Sequence, residues 1–343
     1  MQYEVTIGIP VYRAAGYIEK TMESALSQTF PNIEFLVLDD CGGDGSMDVV
    51  ERLQKEHPRG KDIRILRHEK NYGIGVARNR ILDEARGNYL FFLDSDDIIM
   101  SDTIQLLFDH AQKIDAEIVY GSWERIDVID KSPSVQSVYP YMLFTEPDGL
   151  AMYAFKNYST FRISVCNCLM KISTLRDAHL HFVDAIFWED MAFTYEMVTK
   201  VRRAILLPEI TYYYICRPDS LSHFQERKTL HKEEILKNAS VVNYLKDKLG
   251  VLRGHSYVPY MNYNLGMNSF YVVCYVLKHQ SIIHPIISNS ELRQLMQMPL
   301  KFSDIICRRG RLMGNLALWT LSHIPNSLFV PFVRIAGKIK KVI

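Results

Sequence analysis

A chain of 343 residues, 48% apolar and 23% charged, holds a full-sized core plus a smaller second unit and is too apolar to be disordered. Its formal net charge of +1 excludes any whole-protein electrostatic argument for nucleic acid. That average conceals two unlike parts, because residues 301–343 carry eight basic residues against Asp304 alone (+7), which leaves −6 for residues 1–300. In chain order, residues 5–11 are a β-rich run ending around Pro10, and residues 17–28 set Ile18, Met22, Ala25 and Leu26 at helical spacing. Residues 33–38 are a second apolar run that leads into Asp39, Asp40 and a glycine-rich turn, and residues 48–55 suit a short helix. A third strand at 63–66, a long helix at 75–85 and a fourth strand at 89–93 follow. Strands apolar on both faces and separated by helices predict an α/β fold, a Rossmann-like, mostly parallel sheet covered on both sides.

Residues 103–120 predict another helix and strand, and Pro133, Pro140 and Pro147 mark 127–160 as loop-rich. Residues 186–201 are helical in pattern around Trp188-Glu189-Asp190, and 205–207 and 210–215 read as two strands. Past residue 225 the pattern turns to long helices. The expected division is therefore a domain at 1–224, with halves at 1–100 and 101–224, and a helical region at 225–343. The six cysteines include Cys166 and Cys168, which share a face on a strand, but no second Cys/His pair completes a zinc set. Reduced buried thiols, no signal-peptide pattern and no apolar stretch of about 18–20 residues predict a cytoplasmic chain without a membrane span.

Ligands of such sheets bind beyond the carboxyl ends of the strands. The polar residues there are Tyr12 and Arg13, then Asp39 and Asp40, then Arg67, His68 and Asn71, and finally Asp94, Ser95, Asp96 and Asp97. Acids gathered at one edge repel each other unless a cation is present. The run Tyr89-Leu-Phe-Phe-Leu-Asp94-Ser95-Asp96-Asp97 sets two carboxylates on one side of an extended segment. Hard oxygen donors of this kind suit Mg²⁺ or Mn²⁺ completed by phosphate oxygens. The structural alternative makes these acids turn formers, with Asp97 as the N-cap of the next helix. Gly73-Ile-Gly75-Val-Ala-Arg78 lacks the third glycine of a dinucleotide fingerprint, which excludes a Rossmann dehydrogenase but leaves Arg78 near a helix start, where it can meet a phosphate.

Several motifs in fixed order now carry a resemblance across residues 3–222: Ile9-Pro10-Val11-Tyr12, Ser27-Gln28-Thr29-Phe30, Leu38-Asp39-Asp40-Cys-Gly-Gly-Asp-Gly-Ser46, Asn71-Tyr-Gly73, Ala77-Arg78-Asn79 and Leu93-Asp94-Ser95-Asp96-Asp97. Together they resemble the family 2 glycosyltransferases with the GT-A fold, of the bacterial surface-polysaccharide type. The resemblance implies a nucleotide-sugar donor (a UDP-sugar first), Mn²⁺ or Mg²⁺ as cofactor, and inversion at the anomeric carbon during transfer to a glycan or lipid-linked hydroxyl. It implies that Pro10, Tyr12 and Asp40 meet the nucleobase and ribose with Asp39 beside them, and that Asn71 and Arg78 approach the nucleotide or its diphosphate. Asp94 and Ser95 would meet ribose or donor sugar, and Asp96, with Asp94, the metal. Asp190 is the expected base, with Glu189 as its neighbour and rival; helix capping by Asp190 is the structural alternative. Arg217, Ser220 and Ser222 resemble a loop closing over the diphosphate, a solvated turn being the alternative, and His223 is a further metal-ligand candidate. The chain departs from the family pattern at Arg13, where Asn is common, and at Cys41-Gly42-Gly43, which lengthens the turn.

In the tail, residues 312–321 and 328–339 are apolar segments divided by Pro325 and Pro331 and flanked by Arg308, Arg309, Arg311 and the terminal lysines. This composition suits an interfacial helix on an anionic membrane, the alternative being a packing or dimerisation helix. Two other functions compete with sugar transfer. A haloacid-dehalogenase-type phosphatase also follows a strand with Asp-x-Asp, and a GT-A protein without catalysis would keep only the binding fold.

Overall fold

The computed structural model describes residues 3–128, 133–157, 161, 164–185, 187–217, 229–307 and 310–343. The chain forms two compact units, one of Met1–Leu150, Ile163–Asp184 and Glu196–His223, the other of Ala151–Arg162, Ala185–Tyr195 and Phe224–Ile343. In chain order the elements up to residue 114 are β1 (Tyr3–Val11), α1 (Ile18–Leu26), β2 (Ile33–Asp39), α2 (Ser46–Glu56), β3 (Ile63–Arg67), α3 (Ile74–Glu84), β4 (Gly87–Phe92), β5 (Ile98–Ile99) and α4 (Thr103–Ile114). Then come β6 (Ile118–Asp127), β7 (Val135–Ser137), β8 (Met142–Phe144), α5 (Gly149–Lys156), β9 (Cys168–Lys171), α6 (Ile172–Asp177), α7 (Glu189–Lys200) and β10 (Ala204–Cys216).

One sheet organises the first unit, in the order β3-β2-β1-β4-β9-β6-β10-β5, with β7 beside β6 and β8 beside β10. β1, β2, β3 and β4 run parallel, and β9 enters antiparallel between β4 and β6. Successive residues of β1 and β2 are buried on both faces, as helix cover on both sides requires. α1 buries Ile18, Met22, Ala25 and Leu26, the face its spacing predicts. Residues 205–207 and 210–215 are halves of one strand rather than two. β10 runs through Pro208 because its pairing with β6 shifts register between Leu206 and Ile210, and a bulge tolerates the missing N–H.

The second unit contains a short parallel pair, β11 (Leu230–His231) and β12 (Ile283–His284), and the helices α8 (Lys232–Lys248), α9 (Val258–His279), α10 (Asn289–Leu295), α11 (Phe302–Cys307), α12 (Leu312–His323) and α13 (Asn326–Ile339). α9 is buried along most of its length but carries the buried amides of Asn262, Asn264 and Asn268. Asn262 donates to Asn315 of α12 (2.8 Å), which donates in turn to the Pro259 carbonyl (2.9 Å). Pro331, expected to divide the tail, lies inside α13; Ser327, whose carbonyl loses its donor there, is exposed. No described helix is long and apolar enough to cross a membrane.

Lys246 of α8 is buried and donates its Nζ to the Leu295 carbonyl at the end of α10 (2.7 Å). Burial lowers its pKa from the usual lysine range to about 7. The folded chain therefore holds fewer protons than the unfolded chain between pH 7 and about 10.4, so stability rises with pH across that window and falls as pH drops through it. Between pH 7 and 8.5 the unfolding free energy of the native chain is expected to rise faster than that of Lys246→Met, by up to about 1.4 kcal/mol per pH unit. Denaturant titrations at several pH values check this, and parallel curves would refute it.

Candidate functional site

The order β3-β2-β1-β4 reverses between β1 and β4, which makes the carboxyl ends of those two strands the topological switch point of the parallel sheet. Pairing brings Val11, Asp39 and Arg67 into one row, with Phe92 opposite Gly8 next door. Pro10 is buried at the end of β1, and Tyr12 follows it exposed, with the Arg13 guanidinium 5.2 Å from its ring centre. The two departures from the family pattern are neighbours here. A Cβ on Gly42 would come within 2.6 Å of the Arg13 backbone nitrogen, so the lengthened turn passes against Arg13 only because residue 42 is glycine.

Asp39 accepts from the Cys41 N–H (2.9 Å), with Arg67 Nε 3.9 Å away. Asp40 is only 3% exposed, and its carboxylate takes three donors: the N–H groups of Tyr72 (3.0 Å) and Gly73 (2.9 Å) and His68 Nδ1 (2.6 Å). Gly73 has φ +89 and is the N-cap of α3, so Asp40 holds the backbone N–H groups at the entrance to that helix. Asp40 thus anchors the 68–73 loop, on which Asn71 and Tyr72 are exposed. Arg78, on the second turn of α3, is buried and donates to Asp94 (2.8 Å), with its guanidinium 5.7 Å from the Phe182 ring centre. Asn79 holds the Phe182 backbone by two hydrogen bonds, accepting from its N–H (2.7 Å) and donating to its carbonyl (2.8 Å).

Beyond β4, Asp94 and Asp96 are partly accessible, while Ser95 and Asp97 are buried. Arg217 grips Asp96 with two nitrogens, Nε at 2.6 Å and a terminal nitrogen at 2.5 Å, and lies 4.1 Å from the Tyr17 ring centre. Burial, and then the charge of Asp94, raise the Asp96 pKa, and Arg217 opposes them. Asp97 does not cap α4. Its oxygens accept from the Tyr212 hydroxyl (2.6 Å) and the Ile215 N–H (2.8 Å), and Tyr212 also lies 3.4 Å from the Asp94 N–H. Burial first, then Asp96 and Asp94, push the Asp97 carboxyl well above the usual range. Tyr212→Phe would leave a buried carboxyl oxygen of Asp97 without its donor, an expected loss of about 1–3 kcal/mol in unfolding free energy. A chemical-denaturation midpoint unchanged from the native chain would contradict this.

Asp94 and Asp96 are hard donors two residues apart, each already balanced by an arginine, and this set fits Mg²⁺ or Mn²⁺ completed by phosphate oxygens. Among the described residues no group of three or more His, Cys, Asp and Glu side chains forms an all-protein cage. Cys166 and Cys168 are buried thiols that form no disulfide. Glu189 and Asp190 open α7 within the stretch that belongs to the second unit. Glu189 is buried, Asp190 accepts from the Met191 N–H (2.7 Å), and Trp188 before them has φ +69, a strained value for a bulky residue. Ser220, Ser222 and His223 lie outside the described residues, as do Arg308 and Arg309. Sequence reasoning assigned no role to Tyr17, Phe182 or Tyr212. Only Asn79, quoted beside Arg78, signalled any of these contacts.

Residues 6–177 match the sequence profile described as Glycosyl transferase family 2. The chain is 30% identical over 126 residues to the glycosyltransferase GlyG of Streptococcus pneumoniae serotype 4, covering 37% of this chain and 41% of GlyG. It is 27% identical over 239 residues to the UDP-Glc:α-D-GlcNAc-diphosphoundecaprenol β-1,3-glucosyltransferase WfaP of Escherichia coli, covering 69% of this chain and 87% of WfaP. The matches span 39%, 41% and 62% of the lengths of three curated relatives. The crystal structure of S. aureus TarS 1–349 in complex with UDP-GlcNAc shares the fold, with a TM-score of 0.64 at 16% identity, over 93% of this chain and 90% of that one.

Proposed function

Since this chain belongs to the family 2 glycosyltransferases, we propose that it transfers a hexosyl or N-acetylhexosaminyl group from a UDP-sugar to a hydroxyl of a glycan or lipid-linked acceptor in bacterial surface-polysaccharide synthesis, with inversion and with Mn²⁺ or Mg²⁺. The observation that carries the reading is the pair Asp94 and Asp96 beyond β4, at the switch point beside β1, each held by an arginine. Support for the donor and acceptor classes comes from the names of the similar proteins: WfaP as a UDP-Glc β-1,3-glucosyltransferase acting on α-D-GlcNAc-diphosphoundecaprenol, and TarS crystallised with UDP-GlcNAc.

In this reading Pro10 and Tyr12 receive the nucleobase, with Asp39 at the ribose, and Asp40 acts mainly by holding the 68–73 loop in place. Asp96 and Asp94 would hold a divalent cation, which when bound would supply neutralisation of the charge that builds on the departing nucleoside diphosphate. Arg78 and Arg217 aim the two carboxylates, and Arg217 can exchange Asp96 for a diphosphate oxygen because its other contact, the Tyr17 ring, demands no proton. Asp190 takes the proton of the acceptor hydroxyl, with Glu189 beside it. Peripheral contact of residues 308–343 with an anionic membrane belongs to the same proposal. The phosphatase alternative expects its nucleophile on the first strand, whereas here the Asp-x-Asp follows β4.

The test is incubation of the full chain with Mn²⁺ or Mg²⁺ and a panel of UDP-, GDP- and dTDP-sugars, reading release of the nucleoside diphosphate. Slow, metal-dependent release from one UDP-sugar is expected. Release from none of the donors would favour a GT-A binding protein without catalysis.

A further inference from the structure

α13 packs one apolar side against the second unit's core and leaves another apolar side exposed. Its inner side buries Phe329 and Val333 in a core cluster with Cys274, Leu277 and Leu318, and a Cβ on Gly337 would come within 3.1 Å of Cys274 Sγ. Its outer side exposes Leu328 (45%), Phe332 (49%), Ile335 (56%) and Ile339 (75%). Steps of four, three and four residues align these side chains in one narrow stripe along the helix. Lys338, exposed, lies about a quarter turn from that stripe, and Lys340 and Lys341 follow its end, whereas Arg334 donates inward to the Leu277 carbonyl of α9 (3.4 Å). No acidic residue occurs between 305 and 343.

We propose that this outer stripe docks the chain onto an anionic lipid bilayer, with α13 lying in the plane of the interface. A 14-residue helix is about 21 Å long, too short for a hydrocarbon core of about 30 Å but suited to lying along its surface. The apolar side chains enter the acyl boundary while the stems of Lys338, Lys340 and Lys341 reach to the phosphate layer. A second copy of this chain is the poorer occupant. A two-fold contact through the same stripe would gather Lys338 and the terminal lysines of both copies, with no carboxylate in the segment to answer them.

The inference deepens the membrane contact proposed above and rests on that reading for the nature of the surface, while needing no sugar transfer. The full chain is to be sedimented with vesicles of equal phosphatidylglycerol and phosphatidylcholine and, in parallel, of phosphatidylcholine alone, at low and high salt. Binding to the anionic vesicles that weakens with salt is expected, with a loss of at least about tenfold in Phe332→Ser/Ile335→Ser and in Lys338→Glu/Lys341→Glu. Both pairs are already exposed, so thermal melts of these variants should match the native chain. Equal recovery of native and stripe variants, or no preference for anionic vesicles, overturns the docking surface. So does a native dimer that the stripe variant dissolves in the absence of vesicle binding. Donor hydrolysis is read on the same samples. Lost vesicle binding with hydrolysis intact defeats the docking surface alone, and absent hydrolysis with binding intact defeats the transfer reading alone.

Discussion

Asp96→Ala is expected to reduce metal-dependent turnover of the nucleotide sugar by about a thousandfold, with the Mn²⁺ dependence itself lost. Asp96 is the more enclosed of the two accessible acids, at 16% side-chain exposure against 34% for Asp94, and it takes both Arg217 nitrogens. Its removal takes away a hard oxygen donor and leaves Arg217 against the Tyr17 ring without its carboxylate. A loss of folding could imitate this result, so Asp96→Asn is the companion variant: it keeps the side-chain shape and one acceptor oxygen but removes the charge. Mn²⁺ binding by paramagnetic resonance, measured without donor, separates the two causes. A folded Asp96→Asn that binds Mn²⁺ and hydrolyses donor at the native rate would end the metal assignment.

The second large effect concerns the base. Asp190→Asn should leave donor binding unchanged and lower transfer to an acceptor by about 10²–10⁴-fold, the usual contribution of a positioned general base. The competing account is local. Asp190 already accepts from the Met191 N–H in the first turn of α7, where a carboxylate favours the helix N-terminus by roughly 0.3–1 kcal/mol. If that is its whole role, Asn preserves the hydrogen bond, transfer survives, and only the melting temperature moves. Glu189→Gln is the discriminating control, because Glu189 is buried at 6% exposure and stands next to Asp190 on the same turn. Should Glu189→Gln alone stop transfer while Asp190→Asn does not, the base is Glu189. The strained Trp188 backbone immediately before the pair marks this turn as one the surrounding structure holds in place.

Much of the parallel sheet was legible from local pattern. Apolar runs at 5–11, 33–38, 63–66 and 89–93 became β1 to β4 within a few residues, and the spacing of Ile18, Met22, Ala25 and Leu26 foretold the buried side of α1. Pro208 misled, because a proline within an apolar run reads as a break and only the bulge against β6 shows that the strand continues. Pro331 misled in the same way. The acid run at 94–97 announced a ligand edge, but it did not divide the labour among its members. Asp97 proved to be a structural acceptor for Tyr212 and Ile215, and Asp40 an anchor for the 68–73 loop.

The charge split at the outset has the same two levels. By itself the amino-acid order determined the α/β class, the edge where acids collect and the opposite charges of body and tail, because each is a property of neighbours along the chain. Only the tertiary structure decided that Asp96 is answered by Arg217, 121 residues away, that Asp94 is answered by Arg78, and that α13 buries one apolar side while exposing another. Periodicity records which residues of a segment leave water. The partner a buried charge meets, or the apolar side a helix leaves uncovered, depends on the path the whole chain takes around its core, and no local pattern encodes that path.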